Sequence, residues 1–394
     1  MPTRNGGAGA RIAYYRSVTR PRLTQRQLAD AAGVGLGTIR KIERGERGVG
    51  EATLDAIADA LGVDPAQLRA GRDAARTRVR DALPALSAAV AAYDIPQERP
   101  VRPIQALHSA VADAARWRLG AQYTRIVRAL PDLLAELARA YHDAGGEERE
   151  VLAGLFVSAC RSADAVAYKF GAGDLSARLV ELMRWAVPEA GDPLLSAAVA
   201  YVRTETFFAA EAHAAGLYAL EQALDVLPVG TTEAELAARG ALHMRAAVVA
   251  ARRRDGSAAS EHLAEARALA GRVREGVYRG TAFGADSVRV HEVSVAVGLG
   301  DEYVGRALEA AGMWEPPREM PAERRSGFYI ELARARLWAG QADKAFESLR
   351  TARHIAPQHT REHLWVREDA ATLRRLKRGD SEALTNFAEW CAAN

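Results

Sequence analysis

Cysteine is almost absent: Cys160 and Cys391 are the only two in 394 residues, far apart and in no metal-like spacing. That excludes a disulfide framework, and two buried thiols in a reducing compartment are expected. Lysine is rare, aromatics make up 6%, and alternating runs of Val, Ile, Thr and Tyr are scarce, so there is little to build a sheet from. No run reaches about 18 apolar residues without a charge, which argues against a membrane span. Residues 1–10 carry no apolar core of a signal peptide. Reactive motifs are also missing. There is no His-Glu-x-x-His, Walker A or nucleophile-elbow pattern, and Gly33-Val34-Gly35-Leu36-Gly37 follows a helical stretch without the spacing of a dinucleotide loop. His359 and His363 are four apart with His354 upstream, but no Cys lies near, and a solvated histidine face is expected there. No enzyme activity, catalytic residue, cofactor or metal is anticipated.

What remains is helical material. Hydrophobic residues make up 49% of the chain, and Ala, Leu, Arg and Glu, all strong helix formers, dominate. An all-α protein of two or three domains is expected. The net charge is only +3, but residues 1–72 hold 12 Lys/Arg against 7 Asp/Glu, while the rest hold 41 against 43. A basic excess confined to the first fifth of the chain is the electrostatic footprint of a nucleic-acid-binding module.

That first fifth reads as five short helices. Arg11 to Val18 forms the first, with Ile12 and Tyr15 inward, and Pro21 follows it. Thr24 and Gln27 have the spacing of a capping box for the second. Gly33 permits a left-handed turn. A third helix spans about Gly35 to Arg44 with Ile39 and Ile42 inward, and Gly45 stops it. Glu51 to Leu61 is the fourth, and Asp64-Pro65 starts a short fifth. Two short helices joined by a Gly-containing turn make a helix-turn-helix, whose second helix enters the major groove.

The phrases Leu23-Thr24-Gln25, Leu28-Ala29, Ala32-Gly33-Val34, Thr38-Ile39, Ile42-Glu43-Arg44-Gly45 and Leu61-Gly62-Val63 resemble the Cro/C1-type (XRE) helix-turn-helix family over about residues 8–70. The resemblance implies binding of double-stranded DNA. It places Gln25 at a backbone phosphate, and Leu36, Gly37, Thr38, Arg40 and Lys41 on the recognition helix. Arg44 and Arg47 fall at flanking phosphates, and Arg16 with Glu43 forms a structural ion pair. The recognition helix departs from the family where it opens Gly35-Leu36-Gly37. These residues cannot make bidentate base contacts, so sequence readout falls to Arg40 and Lys41, to DNA shape, or to residues 1–8 in a minor groove.

We divide the chain into a DNA-binding domain at 1–72, a helical and Pro-rich connector at 73–103 and a sensor or dimerisation domain at 104–394. Three prolines, Pro96, Pro100 and Pro103, favour an extended segment. Beyond it, Gly- and Pro-containing breaks punctuate helical periodicity almost to the end, and first helices of successive pairs are expected near Glu147, Asp192, Glu233, Gly284, Pro321 and Thr360. Gly340 to Pro357 resembles the second half of a tetratricopeptide repeat, with Ala342, Ala345 and Ala352 where helices approach. The spacing is about 37–51 residues against a repeat period of about 34, so the array is tetratricopeptide-like and degenerate, a superhelix with a concave binding face.

A Cro/C1-type module followed by such an array resembles two groups of bacterial regulators, one peptide-responsive and one from Arg/Ala-rich actinobacterial genomes. The composition and the phrase Thr281-Ala282-Phe283-Gly284-Ala285-Asp286 favour the second. Asn, which often clamps peptide backbone in the first group, occurs only at 5, 386 and 394. The resemblance implies a cytoplasmic, homodimeric transcription regulator on a palindromic operator, controlled by a small-molecule or peptide effector. Candidate effector contacts are Arg203, Phe207, His243, Arg245, Phe283, Arg289 and His291. The alternative is a DNA-tethered adaptor whose repeats bind a partner protein.

Overall fold

The computed structural model describes residues 8–19, 21–68, 74–376 and 382–393. The boundary placed at residue 72 and the tail 1–7 lie outside the described residues. The chain is all-α, with one short hairpin among the described residues.

The head comprises α1 (Ala8–Val18), α2 (Gln25–Ala31), α3 (Leu36–Glu43), α4 (Glu51–Leu61) and α5 (Pro65–Leu68). Local chemistry sets these limits. The Thr24 hydroxyl accepts from the Gln27 backbone N–H, and the Gln27 side chain accepts from the Thr24 N–H, which closes the expected capping box. Gly33 turns the chain at φ 62°. Ile12, Leu28, Ile39, Ile42, Leu54, Ile57, Leu61 and Leu68 share one apolar cluster, and each such side chain contributes about 1.5–3 kcal/mol on full burial. Gly9 lies against the backbone of Ile42, and a Cβ there would overlap the Ile42 carbonyl oxygen, so α1 crosses α3 at a distance only glycine permits.

The body begins at α6 (Ala74–Ala91), which is no free connector: Val79, Leu86 and Val90 are buried in the same cluster as the next helices. Then follow α7 (Ile104–Leu119), α8 (Tyr123–Asp143), α9 (Gly146–Lys169), α10 (Gly173–Ala186), α11 (Pro193–Ala209), α12 (His213–Val226), α13 (Glu233–Arg252) and α14 (Gly256–Ala270). The hairpin is β1 (Gly276–Tyr278) and β2 (Thr281–Phe283), antiparallel, with Val277 opposite Ala282. The rest is α15 (Ala285–Leu299), α16 (Val304–Ala311), α17 (Ala322–Trp338), α18 (Ala342–Ile355), α19 (Pro357–Glu362), α20 (Leu364–Leu376) and α21 (Glu382–Cys391). Five expected first-helix starts fall within one residue of α9, α11, α13, α15 and α17; Thr360 instead lies inside α19. From α9 to α18 each first helix packs on its own second helix and on the first helix of the next pair. α9 is long and apolar enough to cross a membrane, yet 72% of that apolar window is buried inside the structure. Cys160 and Cys391 are both buried and free, as expected.

The concave side is not an open groove. The array curls until its early helices touch its late ones. The Gln358 side chain accepts from the Tyr123 backbone N–H at 3.1 Å and donates to the Thr124 hydroxyl at 3.0 Å. Lys169 on α9 pairs with Glu323 on α17 at 2.6 Å. The head sits on the N-terminal end of α8, where Arg125 pairs with Asp59, and Arg128 with Asp55 at 2.8 Å and Glu51 at 3.5 Å.

Candidate nucleic-acid interface

Helical periodicity sorts α3 into two faces. Ile39 and Ile42 point into the head core, while Gly37, Arg40 and Lys41 are exposed. Leu36 and Thr38 are half-buried. Gly35 caps the helix without a side-chain hydrogen bond, so the first backbone N–H groups of α3 are open to an anion such as a DNA phosphate.

Glu43, at the far end of α3, fixes this helix to its neighbours. Its carboxylate accepts two bonds from the Arg16 guanidinium, at 2.7 and 2.9 Å, and one from the Gln25 amide at 2.7 Å. Arg16 also donates to the Leu23 carbonyl. The Glu43 side chain is only 6% exposed. The expected Arg16–Glu43 pair is thus present and bidentate, the geometry in which such pairs are strongest. Gln25, expected at a phosphate, engages one amide hydrogen with Glu43; its second remains a donor for the DNA backbone. Arg44 is exposed and paired with Glu46 at 2.7 Å, a surface contact worth about 0–1 kcal/mol that a phosphate can replace. Arg47 is exposed. Arg26, missed in the sequence, is exposed beside Gln25 in the first turn of α2.

Electrostatics reinforces this face. Glu51, Asp55 and Asp59 of α4, which would offset the basic residues, are paired with Arg125 and Arg128 of the body. The cations of α3 keep their field toward solvent, where it attracts a polyanion.

The seven candidate effector contacts do not converge. Arg203 lies over Phe207, and Phe207 packs on Gly216. The His243 and His262 rings meet nitrogen to nitrogen at 3.0 Å; burial and the neighbouring ring hold the His243 pKa at about 4, so the pair is neutral at pH 7. Phe283 is fully buried against Gly240 and serves packing. Arg289 stacks on Trp314 and donates to the Ala310 carbonyl. Only Arg245 and His291 face a common interior. Arg245 lies between the Tyr201 and Phe208 rings and donates to Thr204. His291 donates from Nδ1 to the Ser287 carbonyl, and its Nε2 accepts from Arg324 at 2.7 Å. Burial, then Arg324, hold its pKa well below the ordinary value.

The expected solvated histidine face is also corrected. His359 is buried, bonded to the Ser326 hydroxyl at 2.7 Å. His363 lies beyond the end of α19, so the two are not on one helix face. Among the described residues no group of His, Cys, Asp and Glu could hold a metal ion.

The interior that these residues border carries charges the sequence reading missed. Arg118 lies in the last turn of α7; Arg161, Asp164 and Lys169 lie on α9; Glu205 lies on α11; Glu323 and Glu331 lie on α17. Burial disfavours the Glu323 carboxylate, but Lys169, His359 and Arg118 outweigh it and bring its pKa to about 2. Burial, with Arg118 beside it, lowers Arg161 to about 9. The available signal was charge on an otherwise apolar helix: Arg161, Asp164 and Lys169 interrupt a run rich in Ala, Val, Leu and Phe.

Residues 22–68 match a helix-turn-helix family model of the Cro/C1 (XRE) type, about an eighth of the chain. The match spans α2 to α5 and supports a DNA-binding, transcription-regulatory role. No curated protein and no solved structure matches the chain.

Proposed function

We propose that the protein is a sequence-specific, dimeric transcription regulator in the cytoplasm, whose helical body binds a small-molecule or peptide effector and performs no catalysis. The observation that carries the DNA reading is the exposed, basic face of α3, held in place by Glu43 and freed of opposing charge by the body. One head spans a short half-site, so a dimer reads two half-sites about 34 Å apart, and a palindrome is the expected target. A ligand in the body controls binding only by its different affinity for two arrangements of the heads.

The test is selection from a random DNA pool with the full-length protein, beside an Arg40→Ala, Lys41→Ala variant. A palindrome recovered by the parent and lost by the variant supports the reading. Binding without sequence preference, or by a monomer, overturns it. The adaptor reading draws on a separate observation: Val226, the last residue of α12, and Val229 just beyond it are both exposed, as a partner-binding surface requires. Loss of a co-purifying protein on Val226→Asp with DNA binding retained would favour that reading.

A further inference from the structure

The turn of the β1–β2 hairpin reaches across the interior to two arginines distant in sequence. Arg118 donates to the Gly280 carbonyl at 2.8 Å; Arg161 donates to the Arg279 carbonyl at 2.6 Å and the Thr281 hydroxyl at 2.7 Å. Both guanidinium groups converge on Gly280, where an added Cβ would stand 2.9 Å from one and 3.1 Å from the other. Arg161 is 9% exposed, and Arg118 Nε is buried without a hydrogen-bond partner. Neither arginine forms an ion pair among the described residues. Glu323, the nearest acid in electrostatic effect on Arg118, is engaged by Lys169. Arg161, buried, and Arg118, half-buried, stand side by side and hydrogen-bond only to neutral oxygens, with Glu205, Asp164 and Glu323 acting on them from farther off; two cations so placed form a costly arrangement, and one that a bound anion relieves.

We propose that Arg118 and Arg161 form a binding site for an oxyanion, the carboxylate or phosphate group of a small ligand with an apolar body, and that the hairpin turn occupies this site in the free protein. This deepens the effector reading and rests on it. A carboxylate or phosphate accepts from the same donors and adds the negative charge that carbonyl and hydroxyl oxygens lack, in a geometry that the guanidinium fork matches. Beside the turn is a narrow cleft lined by Leu194, Ala197, Ala237, Ala241, Tyr278 and Thr281, which the apolar body enters as the turn lifts. The cleft has a cavity volume of about 10 Å³, room for about one water, against the roughly 300–1,000 Å³ of small-molecule sites. A ligand therefore has to lift the turn.

The hairpin is built to lift. Its strands are three residues each, too short for independent stability. Arg279 and Gly280, at φ 46° and 76°, form the two-residue turn. The root is anchored by Phe283 against Gly240, while the turn is held by the two arginines and by Asp192, which pairs with Arg279 at 2.8 Å. Exchange of carbonyl for oxyanion at Arg118 and Arg161 leaves the turn held only by the partly exposed Arg279–Asp192 pair, a weak surface contact, with the root in place.

The test uses the full-length protein without DNA, at constant ionic strength. The probes are inorganic phosphate, hexanoate and, as the neutral control, hexanol, with binding read by calorimetry and the hairpin by amide hydrogen exchange over 276–283. Saturable binding of phosphate or hexanoate with faster exchange in that segment is expected, and the two arms identify the head group. The Arg118→Gln, Arg161→Gln variant is expected to lose at least about tenfold in affinity. Gly280→Ala keeps both arginines, strains the turn at its positive φ and is expected to bind several-fold tighter. Absence of saturable binding to both parent and Gly280→Ala, equal binding of hexanol, or slower exchange on binding overturns the proposal. The DNA reading is untouched by such a failure. Failure of effector control instead appears as a ligand-saturated protein whose DNA affinity is unchanged.

Discussion

In the head, apolar side chains from five helices fill the core, and the half-buried ion pair Arg16–Glu43 joins residues 27 apart. In the body, helix pairs also pack through apolar faces, but the interior they enclose is charged, and the bonds to Gln358 and to the hairpin turn join residues 118 to 235 apart. The head resembles a small protein completed by near neighbours. The body is completed only when its two ends meet. Charge inside the head positions an outward-facing helix, whereas charge inside the body faces inward, toward neighbouring helices and the hairpin turn.

The largest test of this contrast is Glu43→Ala. It removes three hydrogen bonds to a carboxylate and leaves the half-buried Arg16 guanidinium without its partner, and a loss of about 3 kcal/mol is expected. Hydrogen exchange should rise across 8–68 and stay unchanged beyond α9; equal loosening of both regions would break the comparison. Next, Arg40→Ala with Lys41→Ala should weaken DNA binding by about 100-fold and leave the thermal midpoint unmoved, because neither side chain packs in the core. Gly9→Ala should cost about 1–3 kcal/mol by pushing α1 off the Ile42 backbone, read as a lower midpoint for the head alone.

The smallest effect sharpens the other side of the contrast. Burial raises the Glu331 pKa to about 7; Arg252, Ser294 and Arg334 oppose this and Asp369 adds to it. The folded protein then holds a proton that the unfolded chain releases near its ordinary value. That stabilisation is complete below about pH 4.5 and lost as pH rises through 7. Glu331→Gln should therefore flatten the stability profile and be more stable than the parent at pH 8 by about 1–2 kcal/mol. A variant whose midpoint falls in parallel at every pH would show that the carboxylate is needed ionised.

The head was legible because its signals are local: Thr24 and Gln27 are three apart, Ile39 and Ile42 are three apart, and Gly33 marks the turn. Most helix starts in the body were legible for the same reason. The hairpin was not, since three-residue strands leave no alternation to read and Arg118 and Arg161, which hold its turn, lie more than 100 residues away. The effector candidates scattered because aromatic and basic residues among alanines mark packing as readily as binding; Phe283 on Gly240 is the plain instance. Periodicity assigned α6 a helix but could not show that Val79, Leu86 and Val90 would find the body core.

A stack of helix pairs ordinarily gains or loses a unit without harm, because each unit touches only its neighbours. The bond from Gln358 to Tyr123 and Thr124 removes that freedom. Insertion or deletion of one pair between α9 and α18 would carry Gln358 away from its partners and Glu323 away from Lys169. The number of pairs is a closed count here, as the number of strands is in a barrel, and descendants of this chain can vary their loops far more readily than their length.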